Sequence, residues 1–246
     1  MKTFFTLAFL FSLGSVLGWI IELLFKRFFL LSNTKGKWIN PGFLRGPYLP
    51  IYGFSLCILY YFSKIQLLFI HNLVLQHLAL FLVTAIIITI MEYIVGIIFI
   101  KGMKVKLWDY SKLKGNFQGI ICPQFTFFWF VLSFFYYTFL DNFMENSVFW
   151  IMKNLGFTFL FGFFYGILIV DVFYSIHILA KIKQFAQTHK IIVRYESLKT
   201  NIAKYNEELA EKANFFFFFK AEPHALAESL KKYIEKEREI FKDMIK

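Results

Sequence analysis

The strongest constraint on this chain is the length of its uncharged stretches. Ile120 to Leu140 and Gly46 to Phe62 carry no charged residue at all. Thr3 to Phe25 carries only Glu22, Leu78 to Ile100 only Glu92, and Asn154 to Ile176 only Asp171. A helix crosses the hydrocarbon with about 20 residues. All but Gly46 to Phe62 reach that length, and this segment can begin in the polar stretch before it or run on past Lys64. The chain is 58% hydrophobic, with 36 phenylalanines in 246 residues, above the roughly 45–50% apolar content of soluble domains. The expected fold is all-α: a polytopic transmembrane helix bundle of about five spans over residues 1–180, with a cytoplasmic helical tail over 181–246.

Basic residues fix the expected orientation. One lysine precedes the first span; five basic residues (Lys26, Arg27, Lys35, Lys37, Arg45) separate the first two; then come Lys64 alone, five lysines (Lys101, Lys104, Lys106, Lys112, Lys114), and Lys153 alone. The rich loops belong on the cytoplasmic side. This places the N-terminus outside, and both long loops and the tail inside. The opening, Lys2 followed by an apolar run to Gly18, has the form of a signal peptide. Cleavage would export five basic residues against the charge rule, so an uncleaved span is expected.

Between the first two spans lies Asn40-Pro41-Gly42-Phe43-Leu44-Arg45-Gly46-Pro47-Tyr48-Leu49-Pro50-Ile51-Tyr52-Gly53, with three of the five prolines. Such a density of fixed and permissive backbone specifies one shape. Irregular backbone at membrane depth is tolerated only against protein or a wet cavity, which marks a candidate site. Three acids fall inside apolar spans, Glu22, Glu92 and Asp171, each costing about 2.5–3.5 kcal/mol to insert. They should face protein or water, in the cytoplasmic half of their helices. Arg45 is the candidate counter-ion, with Tyr48 and Tyr52 beside it. The structural alternative is that the acids pair with Lys26, Arg27 or Lys101. The second long loop adds Trp108, Asp109, Tyr110, Asn116 and Gln118, more polar specificity than an interfacial aromatic belt requires. Gly14/Gly18 and Gly162/Gly166 are small-xxx-small pairs, read as helix contacts within one bundle.

Gly18-Trp19 with Glu22, the Asn40-to-Gly53 stretch, Glu92-Tyr93, Trp108-Asp109-Tyr110-Ser111, Asn116-Phe117-x-Gly119-x-Ile121-Cys122 and Trp129 together resemble the CmpB-like family of bacterial membrane proteins, labelled "putative ABC-transporter type IV" permeases. The resemblance runs from about Phe4 to about Ile178. It implies a bacterial inner-membrane location and a transport subunit, with no substrate or catalytic residue to carry over. Leu49 stands where the family usually has a cysteine.

No Gly-x-x-x-x-Gly-Lys-[Ser/Thr] loop occurs, so ATP binding by that route is excluded and a transport role calls for a separate ATPase. No His-Glu-x-x-His occurs, the five histidines are scattered, and Cys57 and Cys122 form no framework. No cofactor and no metal are expected. The tail carries heptad-like seams, Ile191-Tyr195-Leu198-Ile202-Tyr205-Leu209 and, with one charged exception, Leu226-Leu230-Tyr233-Glu237-Ile240-Met244, around a Phe215–Phe219 run. They read as a helical hairpin or coiled coil, and the mixed charge signs argue against nucleic acid. Three functions stay open. A permease subunit has the bilayer and either an ATPase or a second copy as partners. A membrane enzyme would bind an anionic lipid head group through Arg45, Lys35 and Lys37, with Glu92 or Asp109 as base. A non-catalytic scaffold or sensor would act through its tail.

Overall fold

The computed structural model describes residues 2–28, 38–65 and 72–199. The remainder, including Lys35, Lys37 and the tail seams from Ile202 onward, lies outside the described residues. The described chain is mostly helical. α1 spans Lys2–Phe28, α2 Pro50–Ser63, α3 Leu73–Met103, α4 Pro123–Phe135, α5 Asp141–Lys153 and α6 Thr158–Thr188. Two two-residue strands, β1 (Val105–Lys106) and β2 (Val193–Arg194), pair in parallel.

Local chemistry explains where these helices start and stop. α2 and α4 both begin with proline in the first turn behind an extended residue, Leu49 and Cys122. A residue before proline is pushed out of the helical region, and proline's missing N–H costs nothing at a helix start. Asn72 caps α3, its Oδ1 accepting the N–H groups of Val74 (2.9 Å) and Leu75 (3.3 Å). α1 ends on Lys26 and Arg27, which complement the helix dipole. α6 ends with Lys190 at φ +53 and an Ile191 N–H bond back to Ala186 O, the six-to-one closure that satisfies a last-turn carbonyl.

Among the described residues, three helices are long and apolar enough to cross a membrane: Lys2–Phe28, Leu73–Met103 and Leu155–Thr188, the last counting the 3-10 turn Leu155–Phe157 ahead of α6. The other expected spans differ in detail. The second is a 14-residue apolar helix beginning at Pro50 rather than Gly46. The fourth begins at Pro123, because Ile120 and Ile121 are held in a turn where Phe117 bridges Ile121. It then passes through a π-helical turn, Tyr136–Leu140, into α5. α5 is not among the expected segments. It presents Met144, Val148 and Ile151 inward at helical spacing.

The described chain divides into two compact units. One holds residues up to 95 and 110–172, the other 96–109 and 173–199. In the first, Leu10, Leu56, Ile88, Trp129, Tyr136 and Val148 join α1 to α5 in one buried cluster. The α1–α2 seam is built on glycine. A Cβ on Gly14 would lie 2.7 Å from Leu56 Cβ, and one on Gly18 would collide with Tyr52 Cβ and Cγ. Gly162 and Gly166 have nothing within 4 Å of a Cβ among the described residues, so only the first pair acts as an intrachain contact there. At the other end of α2, Ser63 donates to Asp141 Oδ1 (2.6 Å) and Lys64 Nζ lies 2.8 Å from Glu145 Oε2.

In the second unit, Val105, Val193, Leu179, Ile182 and Leu198 are buried, and the Val193 N–H donates to Lys104 O (3.0 Å). Ile191 precedes β2, outside any helix, and Tyr195 opens a short helical stretch, 195–199.

Candidate functional site

Two asparagines and two buried acids organise the loops. In the first loop, Asn40 uses its whole amide. Its Oδ1 accepts Trp19 Nε1–H (3.0 Å) and the Gly42 N–H (3.2 Å). Its Nδ2 donates to Leu44 O and Arg45 O, both at 3.0 Å. The stretch thus folded sets its next backbone donors on α6. The Arg45 N–H meets Asp171 Oδ1 at 3.1 Å, the Gly46 N–H meets Oδ2 at 2.8 Å, and the Tyr48 hydroxyl donates to Oδ2 at 2.6 Å. Leu44 and Tyr48 pack on Leu168, and a Cβ on Gly46 would collide with the Tyr48 ring. The Leu49 N–H then bonds Ser15 O (2.9 Å) and the chain enters α2. Arg45 therefore meets Asp171 through its backbone N–H. Charge-assisted bonds of this kind contribute about 1.5–3 kcal/mol each, enough to offset the burial of one carboxylate. Burial, then the hydrogen bond to Asp171 and its charge, push the Tyr48 phenol well above its ordinary value.

In the second loop Asn116 has the same role. Its Nδ2 donates to Leu113 O (2.7 Å) and Ser111 O (3.3 Å), and its Oδ1 accepts the Gly119 N–H (2.9 Å). Gln118 and Gly119 both have positive φ, +55 and +65, a tight reversal that glycine permits and a glutamine rarely adopts. Gln118 Oε1 accepts the Tyr93 hydroxyl (3.3 Å). The turn delivers Tyr110 to Glu92.

Glu92, 5% exposed, accepts Tyr110 Oη–H at Oε1 (3.1 Å) and Trp129 Nε1–H at Oε2 (3.3 Å). The Trp129 ring lies against Tyr52, centroids 5.2 Å apart, and the Tyr52 hydroxyl donates to Glu22 Oε2 (2.9 Å). Lys26 Nζ stands 3.7 Å from Glu22 Oε1. Tyr110 also stacks on Phe125 at 4.3 Å. Burial, then the charge of Glu92 and of Glu22, hold the Tyr110 phenol well above its usual range. Glu22 and Glu92 thus belong to one cluster, joined through Tyr52, Trp129 and Tyr110. The donors to Glu92 are neutral, an arrangement able to keep a carboxylate dry without cancelling its charge and suited to holding a proton or a cation.

Trp108 and Asp109 belong to the second unit. Asp109 Oδ1 lies 2.7 Å from Lys106 Nζ and its Oδ2 3.0 Å from Arg194 Nε, so its carboxylate closes a clamp across β1 and β2. Trp108 is half-buried. Trp19, Asn40 and Trp129 are working members of the two clusters that are absent from the expected site residues. Their signal was their place in the loop and span motifs. Among the described residues no group of histidine, cysteine and acids could hold a metal.

The family described as "Putative ABC-transporter type IV" matches residues 9–176. The chain belongs to this family. The matched region takes in every member of both carboxylate clusters, from Trp19 to Asp171, and ends before β2. Together with the three apolar helices it makes the chain a membrane protein of an ABC-transporter-related family. Neither a curated protein nor a solved structure matches it.

Proposed function

We propose that the chain is a permease subunit of an ABC-type transporter in the bacterial inner membrane. In this reading the chain crosses five times, its N-terminus is outside, and both motif loops and the tail are cytoplasmic. α2 and the α4 helix with its π turn supply the two crossings beyond the three long helices. The alternation of one and five basic residues supports the orientation. Glu22, Tyr52, Glu92 and Tyr110, with Asn116 and Gln118 shaping the loop above them, form a polar pocket open to the cytoplasm. Arg45, Tyr48 and Asp171 hold the first loop at its edge. Trp108 and Asp109 form a contact for a separate ATPase. A second copy of the chain completes the path, since five spans enclose little space.

One observation carries the reading: a carboxylate, Glu92, buried in an apolar helix and held by two neutral donors. An intramembrane acid kept at such cost marks an ion or substrate path. The test is purification in mild detergent from the native host, followed by reconstitution into nanodiscs. The expected result is a complex with an ATPase whose turnover drops several-fold in Glu92→Gln at unchanged yield. A preparation without ATP hydrolysis, or one indifferent to Glu92→Gln, overturns the proposal.

A further inference from the structure

An apolar groove of about 570 Å³ opens beside the second loop, walled by Leu82 and Ala85 of α3, Thr126, Phe127 and Phe130 of α4, and Gly115 of the loop. Its volume falls in the range of small-molecule sites, about 300–1,000 Å³. The helices run antiparallel along it, as Thr89 meets Thr126 (3.2 Å) and Phe81 meets Phe130 (6.1 Å between centroids). The groove therefore extends from the loop toward the middle of the helices, about 10 Å along α4 from Pro123 to Phe130. The one wall hydroxyl, Thr126 Oγ1, is engaged with Thr89 and with Cys122 O. Leu82 and Phe127, 53% and 61% exposed, open the groove sideways toward the surface that faces lipid.

The mouth is charged. Lys114 adjoins Gly115 in the chain, Lys112 is two residues earlier, and both are exposed. Asn116 ties this turn down, and no acid occurs between Tyr110 and Cys122. A dry slot parallel to the helices, with two exposed lysines in the turn beside its loop end, is complementary to a molecule with a hydrocarbon chain and an anionic head.

We infer that this groove binds one anionic phospholipid, its acyl chain between α3 and α4 and its phosphate at the Lys112–Lys114 turn. The site is separate from the Glu22–Glu92 cluster and does not depend on the transport reading. The test titrates the full-length protein in mild detergent with phosphatidylglycerol or phosphatidylcholine, counting bound lipid by native mass spectrometry. One tightly held phosphatidylglycerol is expected, weakened about 25-fold by Lys112→Gln with Lys114→Gln, from about a five-fold loss per lysine. Phosphatidylcholine binding should not change in that variant. Leu82→Trp, which fills the groove from its exposed side, should abolish the tight site. Equal binding of the two lipids, or phosphatidylglycerol binding unchanged in either variant, reduces the result to annular lipid and overturns the inference. If Leu82→Trp does not fold, the exposed lysine pair still decides.

Discussion

Replacing Asp171 should release the first loop, and the cost follows from three of its bonds to that loop. In Asp171→Ala the Arg45 N–H, Gly46 N–H and Tyr48 O–H lose their acceptor. At about 1.5–3 kcal/mol for each bond to a charged group, the gross loss is roughly 4.5–9 kcal/mol. Removing a carboxylate from the membrane returns about 2.5–3.5 kcal/mol. The net destabilisation is then about 1–6.5 kcal/mol, or roughly 2–25 °C in a chain of this size. Asp171→Asn keeps one acceptor oxygen and sets its amide N–H groups against a donor, so about half the effect is expected. Both cysteines are at least partly shielded, Cys122 buried and Cys57 half-buried, so a thiol-reactive fluorogenic dye reports unfolding without added labels. Melting of Asp171→Ala within about 1 °C of the parent would refute the claim that this carboxylate holds the loop.

The two small-xxx-small pairs should separate cleanly. Gly18→Ala drives a methyl into Tyr52 and should cost about 1–3 kcal/mol, whereas Gly166→Ala meets nothing and should be neutral or gain up to about 1 kcal/mol from helix propensity; the same melting assay checks both. Asn116→Ala removes three loop bonds and should raise protease cleavage between Tyr110 and Cys122, an effect absent in the exposed Lys112→Gln. The folded state holds the Tyr48 and Tyr110 phenols protonated above their ordinary pKa of about 10. Their contribution is therefore complete below that pH and is lost as pH climbs through the raised folded values. Melting temperature should fall above about pH 10, less steeply in Tyr48→Phe; an identical alkaline slope in that variant contradicts the assignment.

What the sequence made legible was whatever depends on local rules. Long uncharged runs located α1, α3 and α6, whereas the second and fourth runs open at Gly46 and Ile120, ahead of the helix starts at Pro50 and Pro123. The four-residue spacing of Gly14, Gly18 and Glu22 placed all three on one face, and that face meets α2. Other features depend on partners far along the chain. Nothing near Arg45 signals that its backbone N–H meets Asp171, 126 residues away. Asn40 and Asn116 read as ordinary loop residues until the carbonyls they satisfy are in place. α5 mixes Asp141, Asn142, Glu145 and Asn146 with aromatics, so its apolar stripe is too narrow to stand out by composition. The π turn at Tyr136–Leu140 left no local mark, and Ile191 continued a helical spacing although Lys190 already ends α6.

The account depends most on the two asparagine-built loops sharing one aqueous side, where each reaches a carboxylate within the bundle. In a background of Cys57→Ser with Cys122→Ala, single cysteines at the exposed positions Trp38 and Lys112 can be treated in intact cells with a membrane-impermeant thiol reagent. Both should stay unlabelled until the inner membrane is opened and then react equally. Labelling of one position and protection of the other in intact cells would contradict the shared site.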